Sequence, residues 1–105
     1  MARRGRLSEP DLVKVFRALS DPTRLAIYQL IRAGGGSAFS EEQLDQSISQ
    51  IAARFEVSLS TVSHHIKELR QAGLVRCDKR GQTVYCSPNA EILEEVGRFL
   101  RGGTG

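Results

Sequence analysis

The 105-residue sequence has no apolar run near the ~18 residues that a membrane-spanning helix needs, so no transmembrane segment is expected. Its opening, MARRGRLSEP, lacks the hydrophobic stretch of a secretory signal, and a cytoplasmic location is the expectation. Cysteine is scarce. The two present, Cys77 and Cys86, form no CxxC and join no Cys/His cluster at zinc-finger spacing, so free thiols are expected. The constellations of catalysis are missing too. No serine or cysteine nucleophile has a positioned histidine and acid, no glycine-rich phosphate loop follows a strand, and no carboxylate pair has a cleft to sit in. Gly34, Gly35 and Gly36 follow a helical segment and read as a cap or linker. No enzyme activity, no cofactor and no metal site are expected. Nor is there a strong excess of one charge. The net charge is +3 and the pI near 9.2, which permits nucleic-acid binding without requiring it.

What is present is one organised stretch, residues 51–74, IAARFEVSLSTVSHHIKELRQAGL. It reads as two short helices joined by a tight turn at Phe55-Glu56-Val57-Ser58, the pattern of a helix-turn-helix, which reads DNA. Ser58 or Ser60 caps the second helix, and Gly73 stops it. Val62, Ile66 and Leu69 recur at spacings of four and three and face inward, so Thr61, His64 and Lys67 face outward, with Ser60, Ser63 and His65 nearby. The positive charge gathers here. Over residues 54–86, Arg54, Lys67, Arg70, Arg76, Lys79 and Arg80 stand against only Glu56, Glu68 and Asp78.

The rest of the chain makes one domain around that stretch. Residues 1–7, with Arg3, Arg4 and Arg6, form a basic flexible arm, either a frayed tail or a contact to phosphates. Residues 8–101 form the domain, and residues 102–105 a flexible tail. Ser8 caps a helix predicted over residues 9–19. Asp21-Pro22 starts a second helix, apolar over much of its circumference and ended by the glycines at 34–36. Ser40-Glu41-Glu42-Gln43 fits a capping box, after which one helix to Phe55 fits the apolar pattern. A short helix, a kink near Ser47 and a second helix fit it too, and the polar residues 46–49 favour this second layout. Residues 74–78 and 83–87 are rich in β-formers and flank Lys79-Arg80-Gly81-Gln82, a hairpin turn expected to centre on Arg80-Gly81. A last helix over residues 90–100 carries Ile92, Leu93, Val96, Phe99 and Leu100 as one stripe. The fold class is therefore mainly α with a small β-hairpin, a winged helix-turn-helix in the order α-α-(α)-α-α-β-β-α.

Two stretches carry a resemblance. Ala18-Leu19-Ser20-Asp21-Pro22-Thr23-Arg24-Leu25-Ala26-Ile27 resembles the L-x-D-P-T-R-L-x-I-L signature of the ArsR family of bacterial transcriptional repressors. Residues 60–75, STVSHHIKELRQAGLV, are similar to that family's recognition helix, and Arg80-Gly81 with Val84-Tyr85 to its wing. The resemblance covers roughly residues 10 to 100 and implies a homodimer that represses a promoter and is released by an inducer, often a metal ion. The metal sites do not carry over. Where metal-responsive members hold Cys-x-Cys, this chain has Ser47-Ile48-Ser49, and serine supplies no thiolate. Another family site uses Asp and His on the last helix, which here offers Glu91, Glu94 and Glu95 and no histidine. The segment over residues 34–46 also departs from the tighter connection usual in the family.

The expected DNA contacts are Ser58, Ser60, Thr61, Ser63 and His64 at bases or phosphates and Lys67 at phosphate. At the wing tip, Lys79 and Arg80 reach phosphates or the minor groove, or else form an ordinary charged turn. His64 and His65 are neighbours about 100° apart on a helix and cannot chelate one ion as an i, i+4 pair could. With the turn at Arg80-Gly81, Cys77 lies opposite Val84 and Cys86 opposite Val75, Arg76 neighbours Tyr85, and a one-residue shift of register brings the thiols face to face. The thiols are either small core hydrophobes or a switch or soft-metal site in the wing. Leu12, Val15 and Phe16, with Ile92, Leu93, Val96, Phe99 and Leu100, form either plain core or, as the resemblance implies, a dimer interface. A twofold dimer spaces its recognition helices about one DNA turn apart and predicts a palindromic operator. The expected function is sequence-specific repression by a homodimer on double-stranded DNA, with no membrane partner. The rival is a winged-helix protein- or RNA-interaction module without operator binding.

Overall fold

A computed structural model describes residues 7–34 and 46–102. Residues 1–6 of the expected arm at 1–7, Gly35 and Gly36, the capping box at Ser40, any helix before residue 46, and residues 103–105 lie outside the described residues. Among the described residues are five helices and three strands: α1 Glu9–Leu19, α2 Pro22–Gly34, β1 Gln46–Ser47, α3 Ile48–Phe55, α4 Leu59–Gln71, β2 Val75–Arg80, β3 Thr83–Pro88 and α5 Ala90–Leu100. This is the winged helix-turn-helix order expected from the sequence, with one short strand added.

Local chemistry sets the helix ends. The Ser8 hydroxyl accepts the Asp11 N–H at 3.2 Å, and the Asp11 carboxylate accepts the Ser8 N–H at 3.3 Å, a capping box at α1. Those bonds hold the Asp11 carboxyl below the usual carboxylate range. Asp21 accepts the Arg24 N–H at 2.8 Å, which fixes the start of α2 and likewise lowers the Asp21 carboxyl. A second capping box, Ser47 with Gln50, opens α3. The break that the sequence placed near Ser47 is therefore a helix start.

The core is assembled from every layer. Val15 of α1, Ile27 and Ile31 of α2, Ile51 of α3, Val62 and Leu69 of α4, Leu74, and Cys86 of β3 are fully buried. On α4 the face that the four-and-three spacing assigns inward, Val62, Ile66 and Leu69, is the face found inside. By contrast, α5 buries no residue completely and leans on the core through Ile92, Leu93 and Val96. Tyr28 is buried, and its hydroxyl has no hydrogen-bond partner among the described residues.

The sheet is antiparallel in the order β1-β3-β2. The two-residue β1 pairs Gln46 with Cys86 and Ser47 with Tyr85. It is too short to leave an alternating pattern in the sequence. The hairpin register also differs from expectation. Arg80 pairs with Thr83, so the turn centres on Gly81-Gln82 rather than Arg80-Gly81. A two-residue hairpin turn needs positive φ at its first central position; Gly81 takes it at 63°, while the expected centre would have forced it on Arg80. Cys77 therefore faces Cys86, Lys79 faces Val84 and Val75 faces Pro88. Arg76 is not beside Tyr85. It stands opposite Ser87 and donates to Asn89 and Glu91, each at 3.3 Å.

Candidate nucleic-acid interface

Between α3 and α4 the chain turns in three residues. Glu56 adopts a left-handed conformation, φ 55°, while the Val57 N–H donates to the Ala52 carbonyl at 3.2 Å. This is a Schellman-type stop, built here without the usual glycine. Ser58 then caps α4, its hydroxyl accepting the Thr61 N–H at 3.1 Å. The same hydroxyl lies 3.1 Å from the Ser60 hydroxyl and 2.8 Å from that of Thr61. Three exposed hydroxyls thus cluster at the N-terminal end of α4, where unpaired N–H groups and the helix dipole favour an anion.

At about 100° per residue, Ser60, His64 and Lys67 fall within an arc of about 60°, diametrically across from buried Val62, Ile66 and Leu69. Ser63 flanks the arc, and all four are exposed. Leu59 is exposed too, at 55%, in the first turn of α4. The four-and-three spacing of Val62, Ile66 and Leu69 does not point to it. His65 differs from His64. It is half-buried, with Nδ1 3.5 Å from the Arg24 guanidinium, whose Nε donates to the Ala18 carbonyl at 2.6 Å. His65 therefore ties α4 to the α1–α2 junction rather than to any ligand face.

At the far end of α4, the Gly73 N–H donates to Arg70 and the Leu74 N–H to Leu69. Gly73, at φ 82°, is the left-handed residue that this stop requires. Asn89 braces the hairpin against it: its side chain donates to the Gly73 carbonyl at 2.9 Å and caps α5 through the Glu91 N–H at 3.2 Å. The wing is thereby held beside α4. Lys79 and Arg80 are exposed near its tip. Arg80 donates to Asp78 at 2.8 Å and lies over the Tyr85 ring at 4.7 Å, so its charge is carried on a rigid platform.

This geometry has close relatives. A family model described as a helix-turn-helix domain matches residues 19–78. The transcriptional repressor SdpR of Bacillus subtilis (strain 168) is 35% identical over 81 residues, 77% of this chain and 79% of that protein. Among solved structures, the ArsR family transcriptional regulator RHA00566 is 26% identical with a TM-score of 0.73, covering 92% of this chain and 90% of its own. The chain belongs to the ArsR family of winged helix-turn-helix transcriptional regulators. A further fold neighbour is the winged helix-turn-helix DNA-binding domain Mb0332 from Mycobacterium bovis, described as homodimeric. It is 22% identical at a TM-score of 0.68, over 88% of this chain and 76% of its own.

Within the ArsR family, the local chemistry explains what the signature residues do here. Asp21 caps α2, and Arg24 joins α2 to both α1 and α4. At the position where metal-responsive members carry a thiolate, Ser47 is 5% exposed and spends its hydroxyl on the Gln50 N–H. That side chain is a helix cap. On α5, Glu91 pairs with Arg76 and Glu95 with Arg98. Among the described residues no group of three or more His, Cys, Asp or Glu side chains is placed to hold a metal ion.

The expected interface residues divide. Val15 is 1% exposed and belongs to the protomer's own core, because α1 turns that side onto α2 and α4; it has no surface to give a partner. Leu12, Ile92, Leu93 and Val96 are half-buried. Phe16 and Phe99 are exposed, at 40% and 51%, with ring centroids 6.1 Å apart, and Leu100 is 66% exposed. Val13 of α1, which sequence reading left out of the interface set, is also exposed. Among the described residues no helix is long and apolar enough to cross a membrane.

Proposed function

We propose that the protein is a homodimeric repressor that reads a palindromic operator in double-stranded DNA, in the cytoplasm. The observation that carries this reading is the exposed arc of Ser60, His64 and Lys67, headed by the hydroxyl cluster of Ser58, Ser60 and Thr61. The major groove admits one helix, and hydroxyls and imidazole donate and accept at base edges. Ser60, Thr61, Ser63 and His64 contact bases or phosphates, Ser58 and Lys67 phosphates, and Leu59 a thymine methyl group. Lys79 and Arg80 of the wing reach the flanking backbone or minor groove; Arg80 can exchange Asp78 for phosphate because an exposed pair of that kind contributes only ~0–1 kcal/mol.

Homodimerisation is supported by the apolar surface shared by α1 and α5. Phe16, Phe99, Leu100 and Val13 form an aromatic and aliphatic face whose exposure a second copy removes, with Leu12, Ile92, Leu93 and Val96 at its base. The fold neighbour Mb0332 is itself described as homodimeric.

The test is fluorescence anisotropy on duplexes tiled across the DNA upstream of the gene. One duplex is expected to bind specifically, with affinity falling steeply and log-linearly with salt and a stoichiometry of two chains per site. Binding to RNA or to a protein partner with no preferred duplex would establish the interaction-module reading instead.

A further inference from the structure

Cys77 and Cys86 sit outside the DNA-contacting face, yet their placement is specific. They are direct partners on β2 and β3, with sulfurs 4.0 Å apart. In a hairpin with a two-residue loop, hydrogen-bonded and non-hydrogen-bonded pairs alternate outward from the closing pair. Arg80 and Thr83 close the loop, so Cys77 and Cys86 are a non-hydrogen-bonded pair. At such pairs the Cα atoms approach to about 4.5 Å and the side chains come closest. That span lies inside the ~4.4–6.8 Å that a disulfide bridges, and the sulfurs need to close by only about 2 Å.

We propose that Cys77 and Cys86 form a redox-active pair that closes to an intrachain disulfide across the base of the wing, and that this bond loosens the protein's hold on its operator; the second half rests on the DNA-binding reading above. The two thiols have unequal access. Cys86 is 1% exposed, whereas Cys77 is only half-buried. Hydrogen bonding from Cys86 draws the Cys77 thiol down to about 7 against the opposing effect of burial, and the positive charge of Arg70 assists. Cys77 is therefore the nucleophile and Cys86 the resolving thiol.

The oxidant is a low-molecular-weight disulfide, RS–SR. The Cys77 thiolate attacks one sulfur, a Cys77–SR bond forms, the S–S bond breaks, and RS⁻ leaves and takes up a proton. Cys86 then gives up its proton and attacks the Cys77 sulfur, and the second RS⁻ leaves as RSH. Two protein thiols are oxidised by two electrons and one RS–SR is reduced to two RSH. A bound soft metal is the weaker alternative, since among the described residues no third protein ligand joins the two sulfurs.

The bond has a route to the reading head. Cys86 lies on the central strand and also pairs with Gln46 of β1, and Ser47, the next residue, caps α3. Lys79 and Arg80 follow Cys77 by two and three residues. Drawing Cys86 towards Cys77 therefore pulls on the wing and on the start of the helix-turn-helix together.

The experiment equilibrates the full chain with mixtures of oxidised and reduced glutathione. Intact mass and alkylation report the thiols, and anisotropy on the operator duplex reports binding. Wild type is expected to lose two hydrogens without retaining glutathione, and to bind the duplex about tenfold more weakly, an ordinary size for coupling between two sites. Dithiothreitol should restore it. Cys86→Ala should stop at a glutathione adduct on Cys77, and Cys77→Ser should neither react nor change affinity. Wild type that stays a dithiol, or stops at the adduct, overturns the bond. A closed bond with unchanged affinity, or release by arsenite but not by oxidised glutathione, overturns the switch. A reduced protein that binds no duplex sinks the DNA-binding reading and the switch with it, while the mass result still decides the bond.

Discussion

Arg24 of α2 reaches His65 of α4, placing its guanidinium 3.5 Å from the ring Nδ1 while its Nε donates to the Ala18 carbonyl at 2.6 Å. One side chain thus spans the end of α1, the start of α2 and the middle of the proposed recognition helix. The planar guanidinium serves both contacts because its donors point along fixed, divergent directions.

Arg24→Ala is expected to destabilise the fold by about 2 kcal/mol, because it strips a charge-assisted hydrogen bond from a part-buried carbonyl and leaves His65 without this partner. Arg24→Lys should recover little of that, since an ammonium cannot address both sites. Urea denaturation of the three proteins measures it; equal stability of the Lys variant and wild type would show that charge alone suffices.

Glu56 holds a left-handed backbone, φ 55°, at the stop between α3 and α4. A side chain there costs roughly 1 kcal/mol that glycine avoids. Glu56→Gly should raise the unfolding free energy by about 0.5 kcal/mol, since the looser unfolded chain offsets about half of the relieved strain. A lower melting temperature would mean that the Glu56 side chain makes a stabilising contact that outweighs the strain.

These two sites mark how far the sequence could be read. Helix periodicity, the caps at Ser8, Asp21 and Ser58, and the glycine stop at Gly73 are local signals, each set by residues within about four positions, and they located α1, α2 and α4. The family signature was legible as a string, but the function of Arg24 was not, because His65 lies 41 residues away. The two-residue β1 has no pattern of its own and exists only through pairing with β3. The hairpin register hinged on which residue takes positive φ, and assigning Gly81 to the second central position rather than the first moved every cross-strand pair. Val15, open between core and interface in the sequence, lies in the protomer's core, and Leu59, to which the pattern assigns no role, is exposed. An apolar residue's periodicity says that it faces something; it does not say whether that is the protomer's core, a second copy or DNA.

Tyr28 buries a hydroxyl that has no partner among the described residues, and burial raises its pKa above the ordinary value near 10, with Arg32 acting in the opposite sense. The folded state therefore holds the phenolic proton more tightly than the unfolded chain. Stability from this group is intact below about pH 10 and is lost as pH rises through the higher folded value. Tyr28→Phe should remove that alkaline loss and raise stability at neutral pH by about 1 kcal/mol, since an unsatisfied buried hydroxyl is eliminated. Thermal melts from pH 7 to pH 11 test both parts; a destabilised variant would imply a partner for the hydroxyl.

Phe16 and Phe99 pack together on an exposed face of α1 and α5. Under the dimer reading, Phe16→Glu puts a charge where the second copy sits, and burying an unpaired charge costs several kcal/mol. The variant should sediment as a monomer at micromolar concentration with unchanged far-ultraviolet circular dichroism, because Phe16 is not in the protomer's core. Retention of a dimer would move the interface elsewhere.

Lys67 lies in the same outward arc as Ser60 and His64, two turns into α4, and its assigned contact is a phosphate. A phosphate contact is sequence-blind, so Lys67→Ala should weaken specific and nonspecific duplexes alike and reduce the magnitude of the log–log salt slope by about 1 per protomer. His64→Ala, at a base edge, should behave differently: about 1–3 kcal/mol lost on the specific duplex, little on others, and a nearly unchanged salt slope. The two variants thus separate positioning from readout on one helix face. If Lys67→Ala relaxes sequence preference while leaving the slope intact, the assignments of the two side chains must be exchanged, and α4 then lies deeper in the groove at its second turn than at its first.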